Sequence, residues 1–273
     1  MKKHQLKDMT FVEFRERMAE DPVILVPLGS QEEQGPHAPM GDFMLSERLA
    51  AAVAERSGAI AAPTIPFGYA DVFRGMAGGI QLRPATFCAL LEDTIAAFLD
   101  HGLRRIVLFN GHTGNAGLID QTVRELKIRT GLIIPSINIW KAIPHELWTR
   151  LHGDLAERAG GHGADPITSV YWHYFPELMR PDLQKTSEAA KAFGHEPVGL
   201  SAISFQGCEV AVPLDALDVN PHGLIGGNSR LSSAEIGAAF AEHIISFAAE
   251  FVKHFRNCDP ADLRSAPNAM PNS

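Results

Sequence analysis

Val23-Ile24-Leu25-Val26-Pro27-Leu28 is an unbroken, β-branched apolar run that empties into a polar, glycine-rich loop, residues 29–42. A strand apolar at every position is buried on both faces, as in a parallel sheet covered by helices. The same pattern recurs downstream. A helical stretch over 43–56 stops at Gly58, and 59–63 reads as a second strand. After a glycine-rich segment, 67–83, Pro84 opens a helix that ends near His101-Gly102. Residues 105–109 form a third buried strand, running out into Asn110-Gly111-His112-Thr113-Gly114-Asn115. A helix to Thr130 with Gly131 as its stop, then a strand over 132–140, complete another unit. Asp165-Pro166 starts a helix over 167–179, and a last helix covers about 232–255. Strands alternating with amphipathic helices predict an α/β fold, with three αβα layers around a central, mostly parallel sheet.

Composition sets the bounds. With 273 residues, 45% of them apolar, the chain can bury one large core, so residues 1–258 are expected as a single domain. Residues 259–273, rich in Pro, Asn and Ser, are expected as a loose tail. Lys and Arg number 24 against 32 Asp and Glu, a net charge of −8 that argues against a nucleic-acid surface. No apolar run reaches the roughly 20 residues that span a bilayer, and the N-terminal lysines precede no apolar segment, so neither membrane insertion nor a leader is expected. Three widely spaced cysteines make no disulfide framework, and a cytoplasmic location follows as the default. Twelve histidines are the unusual feature.

Ligands of open α/β sheets bind beyond the carboxyl ends of the strands. Two loops there carry suitable groups. The first holds Glu32, Glu33, Gln34, His37 and Asp42 among prolines and glycines, a set suited to a divalent metal such as zinc, manganese or iron. The competing reading has Asp42 capping the next helix and both glutamates in solvent. The second loop projects His112 between glycines, opposite Glu32 and Asp42 if the two strands are neighbours. A third segment, 159–166, sets His162 among four glycines, suited to acid–base work near neutral pH. Asp165 in that segment reads first as a helix cap. His222 is a weaker candidate, and His37 is expected to hydrogen-bond within its own loop. No GxSxG, GxxxxGK[ST] or GxGxxG sequence supports serine-hydrolase or nucleotide chemistry.

Taken together, these residues resemble the creatininase (creatinine amidohydrolase) superfamily. Its members carry a glycine-serine pair at a strand end, then E-x-H-G-P-H-L-P and an aspartate, later N-G-H-x-(G/E)-N, then a histidine-glycine segment before E-T-S. This chain has Glu32, Gly35-Pro36-His37, Pro39 and Asp42 in that order. It has the whole segment from Asn110 to Asn115, and His162-Gly163 before Thr168-Ser169. The segment 78–83 resembles the family's P-G-T-I-x-L stretch, and the matches run in order from about 20 to 255. The resemblance implies a metal-dependent hydrolase, a homo-oligomer, often a hexamer, and Glu32, Asp42 and His112 as ligands of one metal. His162 would carry the proton. Three positions depart: Gln34 replaces a histidine, Gly114 a glutamate of some members, and Ile167 the E-T-S glutamate. The second metal site is therefore degraded, with Gln34 and Asp165 as the substitutes to consider.

The expected function is hydrolysis of a small cyclic amide or formamide by metal-activated water, zinc being the first choice of ion. Asp71 and Arg74 replace the S-x-E-H pattern expected of amide-cleaving members and suit a hydroxylated substrate, so ring opening of an oxidised inositol is the alternative. Asp71 and Arg74 also suit an ordinary surface ion pair. A non-catalytic oligomeric binding protein is the rival from another class.

Overall fold

The computed structural model describes residues 2–186 and 190–265. Four parallel strands, β1 (Ile24–Leu28), β2 (Ile60–Ala61), β3 (Ile106–Asn110) and β4 (Ser136–Asn138), form the central sheet in the order β2-β1-β3-β4. Side chains alternate across it, as the pleat requires. Leu25 of β1 and Val107 and Phe109 of β3 pack with α2 (Phe43–Ser57) and α9 (Ala234–Arg256) on one face. Ile24, Val26, Leu28, Ile106 and Leu108 pack with α3 (Pro84–Asp100) and α4 (Ala116–Thr130) on the other. All ten residues of β1 and β3 are buried, which is why those runs show no polar alternation. Removing one such side chain, as in Leu25→Ala, would cost about 2–5 kcal/mol.

Register fixes the site. Leu28 lies opposite Asn110, so both chains leave the sheet at one level, and Gly111 N–H donates to the Leu28 carbonyl at 2.7 Å. The expected helix stops hold: Gly58 and Gly131 follow α2 and α4 in the left-handed region. Two expected elements are shorter than their sequence pattern. The strand over 132–140 is reduced to β4 and then turns into a 3₁₀ segment, Ile139–Ala142. The helix over 167–179 stops as α7 (Ile167–Tyr174), because Pro176 drives Phe175 out of the helical region, to φ −140° and ψ 51°. Among the described residues several helices carried no sequence expectation. α1 (Phe11–Met18) starts with a Thr10/Glu13 capping box, and α5 (His145–His152) leads into the single-turn α6 (Ala156–Ala159).

Beyond α6 the chain builds a rim over the sheet's carboxyl end. β5 (Gly161–His162) pairs antiparallel with β9 (Ile225–Gly226). Between them lie an antiparallel trio, β6 (Pro197–Val198), β7 (Ala202–Phe205) and β8 (Cys208–Ala211), and the short α8 (Ala216–Val219). Residues 259–265 turn back on the domain, where Pro260 accepts a bond from Ile133 N–H at 2.8 Å; the rest of the expected tail, 266–273, lies outside the described residues. Among the described residues no helix is long and apolar enough to cross a membrane.

Candidate active site at the ends of β1 and β3

Because β1 and β3 are neighbours, their exit loops converge. Glu32, Asp42 and His112 are all buried, and one ligand atom from each lies within 4.8 Å of the others. Asp42 stands at the start of α2 but makes no side-chain cap. Its Oδ1 instead accepts Ser30 N–H at 2.6 Å, and its Oδ2 sits 3.0 Å from His112 Nδ1. The capping reading of Asp42 is thereby replaced. Glu32 Oε1 lies 3.3 Å from the same Nδ1, while its Oε2 is buried without a partner.

Backbone and amide groups around this trio hold the imidazole in one orientation. His112 Nε2 lies 3.0 Å from the Tyr69 carbonyl, which only accepts, so Nε2 carries a proton and the ring is turned with Nδ1 towards the two carboxylates. Asn110 Nδ2 donates to the His112 carbonyl, and Asn115 Nδ2 to the Gly29 carbonyl, tying the second loop to the first. Burial pushes the Asp42 carboxyl up to about 6, even with His112 beside it. Burial also opposes a charge on His112, but the Glu32 and Asp42 carboxylates outweigh it and hold the imidazole well above its ordinary range.

The trio opens onto a cavity of about 480 Å³. His162, Asp71 and Thr113 add polar groups to its wall, and Phe73, Trp140 and Ile167 supply apolar surface. Trp140 is fixed by donating its indole N–H to the Gly111 carbonyl. The His162 ring stacks on Phe73, 4.2 Å between centroids, and its Nε2 lies 2.8 Å from both the carbonyl oxygen and Oε1 of Glu33. Burial opposes a charge on His162, yet the Glu33 contact and the nearby Glu32 raise it above its ordinary value.

The other expected residues fall elsewhere. Gln34 is fully buried beside the trio; its Nε2 donates to Glu32 Oε1 at 3.1 Å and its Oε1 has no partner. His37 does not bond within its loop as expected: its Nε2 reaches Thr168 Oγ1 of α7 at 3.4 Å, and burial lowers its pKa to about 4. Asp165 is drawn away from the trio. Its Oδ1 accepts both the N–H and the hydroxyl of Ser169, and its Oδ2 lies 3.3 Å from His152 Nε2, so it serves the first turn of α7. His222 is exposed and outside the cavity wall; its N–H donates to Asn220 Oδ1. Arg74 donates its Nε to Asp71 Oδ1 at 2.7 Å, and both side chains are exposed, Asp71 at the cavity rim and Arg74 beyond it.

Glu33 carried no role of its own in the sequence, where its loop suited a metal or, on the competing reading, left it solvated; it is buried beneath Gly223 and close to His162. Its one available signal was position. Consecutive residues of an extended loop point to opposite sides, so a neighbour of Glu32 faces a different partner.

An αβα sandwich with a buried acid–imidazole trio at its strand ends defines an α/β protein with a candidate metal centre. The model of the creatininase family (creatinine amidohydrolase) matches residues 7–252, so the chain belongs to the creatininase family. The 3-dehydro-scyllo-inosose hydrolase of Thermotoga maritima is 29% identical over 264 residues, 93% of this chain and 84% of that protein. The creatinine amidohydrolase of Pseudomonas putida is 34% identical over 131 residues, 44% of this chain and 50% of that protein. The mycofactocin precursor peptide peptidase of Mycobacterium ulcerans is 28% identical over 241 residues, 82% of each chain. Among solved structures, a creatininase mutant of the Zn-Zn type superposes with a TM-score of 0.75 at 24% identity, covering 93% of this chain and 98% of that one.

Proposed function

We propose that this hydrolase acts on a carbonyl group of a small molecule with one divalent cation held by Glu32, Asp42 and His112. The supporting observation is the buried trio itself: three ligand atoms within 4.8 Å at the base of a cavity that His162 also lines. Two carboxylates with one imidazole suit zinc, manganese or iron. The fit is sound on the residues present, because Nδ1 of His112 is turned towards both carboxylates, where a cation would replace its proton, and among the described residues Glu32 Oε2 is buried with no partner. A cation bound there supplies Lewis acidity, polarising a carbonyl and making water easier to deprotonate. The chain's own groups do the rest. The apolar wall of Phe73, Trp140 and Ile167 displaces water and orients the substrate, and His162 carries the proton to the leaving group.

A single cation is the better reading. Gln34 turns its amide nitrogen towards Glu32, and Gly114 leaves no room for a carboxylate. A Cβ there would lie 2.4 Å from His112 Nε2 and 2.7 Å from the Tyr69 carbonyl oxygen.

Small cyclic amides and formamides are the first substrate class. A second reading, ring opening of an oxidised inositol, is favoured by the Thermotoga relative's match over 93% of the chain and by Asp71 at the cavity rim. A turnover screen of cyclic amides, formamides and inososes with added zinc or manganese decides between them. Elemental analysis should find about one metal per chain; a clear shortfall after gentle purification would count against the assignment. His162→Ala should lower turnover by about 10²–10⁴-fold with metal content unchanged. A homo-oligomer, expected as a hexamer, belongs to the same proposal and is read by light scattering on the eluting protein.

A further inference from the structure

Glu33 is buried, and its carboxylate is divided between its own loop and a distant imidazole. Its Oε2 accepts Gly35 N–H at 2.6 Å, and its Oε1 lies 2.8 Å from His162 Nε2. The loop carrying Gly223, at φ +72°, closes over it so tightly that a Cβ on Gly223 would stand 2.1 Å from Oε1. Taking an ionised carboxyl out of water costs several kcal/mol, and an apolar side chain of similar size would serve packing better. The group that answers this carboxylate is the His162 ring. Nε2–H donates to the Glu33 carbonyl oxygen at 2.8 Å with Oε1 at the same distance, while Phe73 holds the ring face. Among the described residues nothing hydrogen-bonds to Nδ1 of His162.

We propose that Glu33 is the positioning residue of this centre: its carbonyl and carboxylate together hold Nε2 of His162, leaving Nδ1 as the atom that exchanges the proton. The carbonyl can only accept, so it fixes the proton on Nε2 in the neutral ring. Oε1, 2.8 Å from the same nitrogen but without a hydrogen bond to it, adds charge attraction beside that bond and so favours this ring orientation. Glu32 and Glu33, adjacent in sequence, thus set the geometry of the cation pocket and of the proton carrier from one short segment.

This inference rests on His162 being the proton carrier, and its test separates the two claims. Glu33→Ala and the isosteric Glu33→Gln should each lower kcat by about 10- to 100-fold, the scale of a misplaced catalytic group, with KM within about twofold and metal content unchanged. The substrate is the one returned by the screen above. Because Glu33 acts through His162, the double variant Glu33→Ala/His162→Ala should be no slower than His162→Ala alone. A further multiplicative loss in the double variant would overturn the proposal. Ring ¹⁵N signals of histidine-labelled protein, with His162 assigned from His162→Ala, need no substrate: the His162 resonances should shift in Glu33→Gln. Unchanged resonances would overturn it as well. Should His162→Ala keep full turnover while those resonances do shift, the proton-carrier role fails and the contact stands.

Discussion

Two acid–imidazole groups among the described residues, one at the sheet end and one under α7, behave as opposites. At the sheet end, Glu32 and Asp42 crowd Nδ1 of His112, leaving Glu32 Oε2 and Gln34 Oε1 without partners beside a cavity of about 480 Å³. Under α7, Asp165 lies 3.3 Å from His152, but Ser169 occupies its oxygens from both its N–H and its hydroxyl, and the rings of Trp148 and Phe240 pack against the imidazole. A buried acid beside a histidine is therefore no mark of a site. Unspent carboxylate and amide lone pairs clustered around one point beside a cavity are, because burial without partners is costly and persists where something else repays it.

Several substitutions bear on that contrast, and Asp42→Asn should have the largest effect. It keeps the shape but removes a charged ligand, so affinity for added zinc or manganese should fall by more than about 100-fold, read by elemental analysis after desalting. Retained metal would dissolve the distinction between the two pairs. Gly114→Ala attacks the orientation of His112 rather than the ligands. Its methyl group overlaps Nε2, so metal affinity should drop by about 10–100-fold with the fold intact by circular dichroism. At the other pair, Asp165→Ala should cost about 2–4 kcal/mol and lower Tm by on the order of 10 °C, by stranding Ser169 and His152. Its metal content should not change, and a loss of metal there would return Asp165 to the ligand set. Least is expected of Arg74→Ala, since an exposed pair is worth under about 1 kcal/mol. A raised KM for inososes alone would then identify the pair as a substrate contact rather than a surface bridge.

Much of this was written locally. The runs at 23–28 and 105–109, the glycine stops and Pro84 at a helix start needed only side-chain chemistry, since each works within a few residues of itself. What failed to show locally involved a distant partner. From its own loop Asp42 reads evenly as a cap or a metal ligand, and His112, the partner found beside it in place of a cap, stands 70 residues on. His37 reads as bonding within its own loop, until Thr168 draws it to α7, and Asp165, read first as a helix cap, also meets His152 of α5. Glu33 shows no role of its own, because only the fold brings the 223 loop over it and His162 against it.

The sequence by itself therefore determined the buried parallel sheet, its helical layers and the residue types at the ends of β1 and β3. Apolar periodicity and backbone stops act at short range. Only the tertiary structure decided which acids gather at one point where a cation could bind, which are supports and which merely cap. That choice turns on the register pairing Leu28 with Asn110 and on which lone pairs remain unspent once every other partner has been placed.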